Sequence, residues 1–336
     1  MNTDSQNLDY RWVDDWGRTT QSKDSRLGWA HPGMATTRDG RLVTCDSGEA
    51  LMKVFSQDGV LVQSWNGKFV DAHGITITGG DVNEEIWIAD NGSKRHIVYG
   101  YDYAPDANET SGRVFKVAFG GKELLELPFP RHDAYKSERY APTSVAVNEK
   151  SYGGNGDVWV ADGYGASLVH RYSAEGNHLG TIDGTEGAGK FDCPHGIFID
   201  RRKVATGELY VADRANARVQ VFNMEGHFLR NFGSAFLNSP SAFAVSGDVM
   251  IIAELQARLA LIDADDRLIS YLFPNEQIAE REGWPNEKNE SGVIARPSTM
   301  EPGKFNSPHG LTVDNQGNIY VSEWLIGGRM VKLVKD

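Results

Sequence analysis

Three histidines occur at the same place in a repeated sequence motif. The three copies of this motif are Ala72-His73-Gly74-Ile75-Thr76-Ile77, Pro194-His195-Gly196-Ile197-Phe198-Ile199 and Pro308-His309-Gly310-Leu311-Thr312-Val313. In each copy a His-Gly step leads into a short apolar run that contains β-branched residues. Three imidazoles that share one metal ion and leave a coordination position open are typical of a catalytic zinc site. Whether the three side chains can share a metal ion depends on the structure that the repeat forms.

Three further copies carry no histidine, and they alternate with the first three. The matching stretches begin at Pro32, Pro142 and Pro240. In chain order, the histidine position of the six copies holds Pro32, His73, Thr143, His195, Ser241 and His309. Histidine thus occupies every second unit.

Each unit reads as a set of short antiparallel strands. A second apolar run follows each motif, after a turn in most units, and every one of these runs ends in an acidic residue: Asp46, Asp90, Asp162, Asp213, Glu254 and Glu323. Third and fourth runs follow in most units, for example Met52–Phe55 and Val60–Val62 around Asp58-Gly59. Four strands per unit, repeated six times, predict an all-β, six-bladed β-propeller that forms a single domain over residues 1–336.

The last unit lacks a fourth strand, because the chain ends soon after Met330–Leu333. The unassigned run Tyr10-Arg11-Trp12-Val13 could supply it, which would close the ring and remove a free sheet edge. Three connections are long: 99–112, 128–141 and 274–307. The last is interrupted by prolines, and we interpret it as an excursion with one or two helical turns over 275–282.

The propeller brings the alternating histidines together. The first strand of each blade lines the central channel, so His73, His195 and His309 are expected about 120° apart around it. This predicts one divalent metal ion, most simply Zn²⁺, although imidazole also suits Cu, Fe and Ni. The other six histidines, including His31 one place out of register, are expected to have surface or packing roles.

Residues that follow the acidic positions vary and would shape the mouth of the channel. An acidic residue present in every blade is better explained by bonds to backbone donors at the turn than by catalysis. Tyr164 could act as a base beside a metal ion, which favours the phenolate, or could be a rim aromatic. Arg214 could hold an anionic substrate group or pair with a carboxylate. We also place Asp162, Glu254 and Trp324 at the substrate mouth.

Composition limits the functional classes. The 336 residues carry a net charge of −12, which argues against binding a nucleic-acid backbone. No apolar run approaches the ~20 residues that span a bilayer, and the two cysteines, Cys45 and Cys193, are expected to be reduced and packed. The start of the chain lacks the features of an export signal, so the default expectation is a cytoplasmic protein, while a processed secreted form would look the same. The predicted partner is a small-molecule substrate, and the oligomeric state is left open.

Taken together, the motifs resemble those of the peptidyl-α-hydroxyglycine α-amidating lyase family. Its His-Gly, Pro-His and Asp-Gly-Tyr motifs are similar to those at His73, His195, His309 and Tyr164, and its Ala-Asp-Arg motif is similar to the one ending at Arg214. The resemblance implies an NHL-like propeller whose three histidines hold a zinc ion. It also implies a lyase that cleaves an α-hydroxyglycine carbinolamide into an amide and glyoxylate.

Two departures from the family change what the resemblance implies. The family has a first-blade arginine near the channel, whereas this chain has Cys45-Asp46-Ser47-Gly48. This departure argues against a peptide substrate and for another hydroxylated, carbinolamide-like or related small molecule. An acidic residue that the family uses with a structural calcium is replaced by Gly310, so calcium is not expected at that position.

The leading functional hypothesis is therefore a metal-dependent lyase. Two alternatives are a hydrolase of the lactonase-like propeller kind and a non-enzymatic NHL interaction scaffold. Lactonase-like sites bind their metal ion through carboxylate and amide ligands, which the three histidines do not resemble. An interaction scaffold has no role for three converging histidines.

Overall fold

Six four-stranded antiparallel sheets make up most of the chain in the computed structural model, which describes residues 10–13, 16–17, 21–79, 83–104 and 110–336. Each sheet is one blade of a six-bladed β-propeller, as the sequence predicts. The start of the chain, from which the expectation about export was drawn, lies outside the described residues, and so do residues 105–109 of one long connection.

Blades 1 to 5 follow the chain, and within each blade the strands pair in sequence order. Blade 1 contains β2 (Met34–Thr36), β3 (Leu42–Cys45), β4 (Leu51–Phe55) and β5 (Leu61–Asn66). Blade 2 contains β6 (Ala72–Thr78), β7 (Glu85–Asp90), β8 (Arg113–Ala118) and β9 (Glu123–Glu126). Blade 3 contains β10 (Ser144–Val147), β11 (Val158–Asp162), β12 (Leu168–Tyr172) and β13 (His178–Ile182).

Blade 4 contains β14 (Pro194–Asp200), β15 (Glu208–Asp213), β16 (Arg218–Phe222) and β17 (Phe228–Phe232). Blade 5 contains β18 (Pro240–Ser246), β19 (Val249–Glu254), β20 (Arg258–Ile262) and β21 (Leu268–Leu272). Blade 6 combines β24 (Pro308–Val313), β25 (Ile319–Glu323) and β26 (Arg329–Lys335) with the N-terminal strand β1 (Tyr10–Val13).

Strand β1 closes the ring, as predicted. It pairs antiparallel with β26 over the register Tyr10↔Lys335 to Val13↔Lys332. Its Trp12 ring packs against Phe273 and Phe305, with ring centroids 5.3 and 5.0 Å apart. The last blade is thus completed by the other end of the described chain.

The connections hold the remaining short elements. The 274–307 excursion contains a 3₁₀ helix, Glu276–Glu280, within the range predicted to be helical. It also contains a short hairpin whose strands, β22 (Glu287–Lys288) and β23 (Ile294–Ala295), have two residues each. Helix α1 (Lys23–Leu27), which Ser22 caps by accepting from the Ser25 N–H, was not predicted from the sequence. Further 3₁₀ helices are Ile97–Tyr99, Asp133–Lys136, Lys150–Tyr152 and Arg214–Asn216. No helix in the described ranges combines the length and the apolar composition that crossing a membrane requires.

The core lies between neighbouring blades. The second strands are buried along almost their whole length, because each is covered on both faces by the adjacent blades. This explains why they read as continuous apolar runs, whereas the fourth strands, such as β5, are largely exposed.

The acidic residues at the ends of the second strands are structural, as predicted from their presence in all six blades. Each accepts hydrogen bonds from backbone N–H groups at the turn: Asp46, Asp90, Asp162, Asp213, Glu254 and Glu323. These bonds satisfy buried donors and tie the exit of each second strand to nearby backbone, in most blades the segment that leads into the first strand.

Candidate metal centre

The three motif histidines converge on the propeller axis. The ring centroids of His73, His195 and His309 are 4.7 to 4.8 Å apart in all three pairs, so the rings form a nearly equilateral triangle. Each side chain offers a ligand atom, and the three atoms lie within 4.8 Å of one another. All three residues are buried, with at most 3% of their surface exposed. Histidines from alternate repeats of the sequence are therefore related by approximate threefold symmetry in the structure.

A register irregularity points each histidine at the axis. Pairing of the first and second strands shifts between Ala72 and Gly74, between Pro194 and Ile197, and between Pro308 and Gly310. The histidine lies within the irregularity in each case, and such bulges re-aim a side chain.

The glycine after each histidine allows the next blade to approach. A Cβ atom on Gly74 would lie 2.7 Å from the Thr143 carbonyl oxygen, and one on Gly196 would lie 2.4 Å from the Ser241 carbonyl oxygen. A Cβ atom on Gly310 would lie 2.6 Å from the Pro32 carbonyl oxygen. Close packing of backbones at the axis therefore requires the glycine that follows each histidine.

Those same carbonyl groups orient two of the imidazoles. His73 Nδ1 lies 2.7 Å from the Thr143 oxygen, and His195 Nδ1 lies 2.8 Å from the Ser241 oxygen. Because a carbonyl oxygen can only accept, Nδ1 carries the proton and Nε2 keeps its lone pair. Carbonyl groups of blades 3 and 5, which have no motif histidine, thus fix the tautomers of His73 and His195, as backbone carbonyls do for metal-binding histidines.

The third imidazole is less constrained. Burial and the nearby His73 lower the pKa of His309 far below its ordinary value, and the Pro32 carbonyl opposes them. The Pro32 carbonyl is near enough to raise that pKa, but neither ring nitrogen of His309 forms a hydrogen bond of standard geometry to a described residue. A buried polar atom without a partner calls for an explanation, and a metal ion is one.

Burial keeps the triad neutral. It is the largest cause that lowers the pKa of His73 to about 3 and the pKa of His195 well below its ordinary value, with Arg214 lowering both further. Neutral imidazoles are the form that binds metal. Three neutral nitrogen donors in a buried threefold arrangement fit a divalent cation such as Zn²⁺.

Tyr164 lies against the triad. Its hydroxyl oxygen is 3.3 Å from His73 Nε2 and 3.1 Å from His195 Nε2. Burial raises the pKa of Tyr164 above its ordinary value, and the guanidinium of Arg214 partly opposes that rise. The phenol is therefore protonated in the absence of a cation among the histidines.

Arg214 has no carboxylate partner among the described residues. Its Nη1 donates to the Tyr164 hydroxyl at 3.4 Å and its Nη2 donates to Cys193 Sγ at 3.2 Å. The adjacent Asp213 is bonded instead to Arg218, 2.7 Å away. Burial lowers the pKa of Arg214, but Tyr164 and Cys193 outweigh that effect and raise it, so the guanidinium stays charged. Cys193 is a free thiol, as is Cys45.

Of the three residues assigned to the substrate mouth, Trp324 is half-buried beside the triad. Asp162 and Glu254 are fully buried, and backbone donors and Arg258 engage their carboxylates. They support the backbone around the site, and we assign them no contact with a substrate.

Sequence reasoning missed the position of His31. Its ring is buried, with the centroid 5.7 Å from that of His73 and 5.3 Å from that of His309, and it stacks on Trp324 at 5.5 Å. The residue immediately precedes Pro32, which holds the histidine position of blade 1. That adjacency was the available signal, and being one residue out of register places His31 beside the triad instead of in it.

On the other side of the triad a channel of about 350 Å³ follows the axis. The first strands of the blades line it, and Glu149, Tyr152 and Arg201 lie among the residues beyond those strands. The triad lines this channel, whereas Tyr164 and Arg214 do not.

Comparison with known proteins supports the fold. No family model matches the chain. It is 28% identical to mouse NHL repeat-containing protein 3 over 308 residues, which cover 88% of this chain and 76% of the mouse protein. The chain is therefore similar to an NHL repeat-containing protein over most of its length. The relationship supports the NHL-like character of the propeller.

A second relative is named as a lyase. The chain is 31% identical over 161 residues to a probable peptidyl-α-hydroxyglycine α-amidating lyase of Caenorhabditis elegans, which covers 47% of this chain and 38% of that protein. Among solved structures, a streptogramin B lyase matches with a TM-score of 0.60 at 14% identity, covering 99% of this chain and 100% of that one. A gluconolactonase of Xanthomonas campestris matches with a TM-score of 0.53 at 13% identity, covering 99% and 96%. These two structures support the propeller fold.

Proposed function

We propose that the protein is a metal-dependent lyase that acts on a hydroxylated, carbinolamide-like or related small molecule. The observation that carries the proposal is the contact of the Tyr164 hydroxyl with two Nε2 atoms of a buried, neutral histidine triad. A phenol in that position adjoins any group that the triad holds. The partial similarity to a probable amidating lyase supports the same reaction class.

The reaction needs one proton to move and no water. A cation among the three Nε2 atoms would supply Lewis acidity and favour the phenolate form of Tyr164. Tyr164 Oη takes the proton of the substrate hydroxyl, whose oxygen electrons form the new C=O bond as the C–N bond breaks. The leaving amide nitrogen then receives that proton from Tyr164 Oη. The products are an amide and an aldehyde, and the tyrosine is regenerated.

Arg214 would hold an anionic group of the substrate and keep Tyr164 in place. Its guanidinium contacts the phenol oxygen and has no carboxylate partner among the described residues, so it is available to a ligand. Burial excludes water from the three imidazoles, which strengthens each electrostatic contact in the site.

Metal content and turnover, measured together, test the proposal. Purified protein is expected to hold about one divalent ion, and His195→Ala is expected to lose it, whereas His227→Ala, on an exposed turn, keeps it. The metal-loaded protein is expected to release an aldehyde such as glyoxylate from an α-hydroxyglycine compound. Tyr164→Phe is expected to slow that release by about 10²-fold or more, on the order of a lost general acid–base. Equal metal content in the parent protein and both histidine variants would refute the metal site.

Oxygen-18 water separates the lyase from the hydrolase alternative. A lyase forms its products without adding water, so its amide product carries no label, whereas a lactonase-like hydrolase places one labelled oxygen atom in its acid product. The aldehyde is not used for this comparison, because its oxygen exchanges with water. A screen of hydroxylated amides and lactones, with and without chelator, extends the test beyond peptides. Tight binding of a protein partner without turnover of any compound would favour the NHL scaffold.

A further inference from the structure

Most arginines with half-buried or buried side chains are paired with a carboxylate. The pairs, with N···O distances of 3.2 Å or less, include Arg113–Glu126, Arg171–Asp157, Arg202–Asp200, Arg218–Asp213, Arg230–Glu208, Arg258–Glu254 and Arg329–Glu323. Such pairing is expected in a chain of net charge −12. Four half-buried arginines, Arg95, Arg201, Arg214 and Arg281, form no ion pair within the described ranges. Of these, Arg95 contacts Trp324 and Arg214 contacts Tyr164, beside the candidate metal centre. Arg95 and Arg214 both follow the end of a second strand, on the side of the triad where the mouth of the channel is expected.

Arg95 is enclosed by aromatic rings. Its guanidinium carbon lies 4.5 Å from the Trp29 ring centroid, 5.1 Å from that of Tyr103 and 5.9 Å from that of Trp324. The backbones of Arg95 and Tyr103 are bridged, which holds the two side chains together. Stacking on aromatic faces leaves the in-plane N–H groups of a guanidinium free to bind an oxyanion.

Three N–H donors in this enclosure have no acceptor. They are Arg95 Nε, Trp29 Nε1 and Trp324 Nε1, and all three are shielded from solvent without a hydrogen-bond partner among the described residues. By contrast, Trp16 and Trp284 each donate to a backbone carbonyl at 2.9 Å. An unpaired buried donor destabilises the fold, so three in one place indicate a ligand rich in acceptors.

The enclosure is continuous with the candidate metal centre. Trp324 stacks on His31, whose ring lies against His73 and His309. The Trp29 and Trp324 ring centroids are 5.3 Å apart, so the unpaired indole donors belong to neighbouring side chains. A small molecule at the mouth could therefore touch Arg95 at one end and the triad at the other.

We propose that Arg95, Trp29 and Trp324 form an oxyanion-binding subsite, and that the substrate carries a carboxylate or phosphate group remote from its reacting carbon. The subsite deepens the proposed function and rests on it, since it names the substrate class for the same mouth. An oxyanion is the ligand that satisfies a cation and several N–H donors at once. The aromatic rings favour a flat apolar group beside it. Arg95 follows β7 of blade 2. The mouth therefore has a second guanidinium besides that of Arg214, although blade 1 lacks the arginine found there in the family that the sequence resembles.

Binding to the metal-free protein tests the subsite without turnover. Calorimetric titrations at fixed ionic strength would use benzoate, phenyl phosphate and uncharged benzamide, which share one ring and differ in the acceptor group. We expect one of the two anions to bind and benzamide not to bind. Arg95→Gln should weaken that binding at least tenfold, and Trp29→Phe, which keeps a ring and removes one donor, should weaken it several-fold. Which of the two anions binds identifies carboxylate or phosphate as the source of the oxyanion.

Arg267→Gln is the matched control, because it removes the same charge from an exposed side chain. It should leave binding unchanged, and thermal melts would confirm that each variant is folded. Equal binding of benzamide, no binding of either anion at millimolar concentration, or unchanged affinity in Arg95→Gln and Trp29→Phe would overturn the subsite. The readout is independent of the lyase assay, so a protein that binds the anion but lacks lyase turnover would refute the proposed function and leave the subsite standing.

Discussion

Each candidate metal ligand depends on two consecutive residues, a histidine and the glycine that follows it. The histidine supplies the imidazole, and the following glycine admits the carbonyl group that orients an imidazole. The same carbonyl therefore explains both halves of the His-Gly motif. The residues at the matching positions of the other blades, Thr143 and Ser241, contribute through their backbones, which is why their side chains need not be histidine.

Gly196→Ala tests this dependence at the residue scale. The added Cβ would lie 2.4 Å from the Ser241 oxygen, so either that carbonyl or β14 must move. We expect a loss of about 1–3 kcal/mol in the free energy of unfolding, measured by urea denaturation, and weaker metal binding than in the parent protein. Gly180→Ala is the control, because nothing lies within 4 Å of its Cβ. Equal stability of both variants would contradict the close approach.

At the scale of the element, the second strands hold the ends of the first strands in place. Asp90 at the end of β7 accepts from the backbone N–H groups of Val70, Asp71 and Gly92, each at 3.0 Å. Val70 and Asp71 lead directly into β6, which carries His73. The acidic residue thus positions the ligand strand without touching the metal centre. Equivalent bonds to the segment entering the first strand recur in blades 3 to 6, whereas Asp46 of blade 1 accepts from Gly48 and Glu49 just after its own strand.

Asp90→Ala should be strongly destabilising, because it leaves three backbone donors unpaired. We expect a loss of ~3 kcal/mol or more, and a smaller loss for Asp90→Asn, which retains one acceptor oxygen. Asp133→Ala, in which the removed carboxylate is 89% exposed, should change stability little. Chemical denaturation of the three variants would measure this order. Similar stabilities for Asp90→Ala and Asp133→Ala would show that the turn bonds contribute nothing.

For the whole molecule, closure of the ring decides whether the three histidines stay at one axis. The ring closes through β1, whose Trp12 contacts Phe273 and Phe305 and lies under Arg329 at 5.1 Å. Blades 5 and 6 share an apolar cluster that includes Phe305, against which Trp12 packs. Loss of this contact would loosen the last blade, which carries His309.

Trp12→Ala measures the contribution of closure. Because the ring is partly buried, we expect a loss of about 2–4 kcal/mol in the free energy of unfolding and a lower thermal midpoint. Leu179→Ala is the control, since Leu179 is 53% exposed on β13, the corresponding outer strand of blade 3. An effect of Trp12→Ala no larger than that of Leu179→Ala would show that β1 is dispensable for stability.

The repeat, and through it the architecture, could be read from the order of residues alone. The six motif copies, the paired apolar runs and the spare N-terminal run are local patterns, so the number of blades, the closing strand and the convergence of the three histidines could all be predicted. The structural role of the acidic residues could be inferred from their presence in every blade. Each of these inferences depends on periodicity, which the chain displays without being folded.

The residues that surround the histidines could not be predicted without the folded structure. His31 is out of register, Arg95 lies beyond the end of β7, and Trp29 precedes the first motif copy, so no period connects them. They meet because the connections between strands fold over one end of the ring. Which N–H groups Asp162 and Glu254 accept from also depends on the fold, because those donors belong to segments that are distant in the sequence. Repetition along the chain places the ligands, and non-repeating loops build the mouth around them.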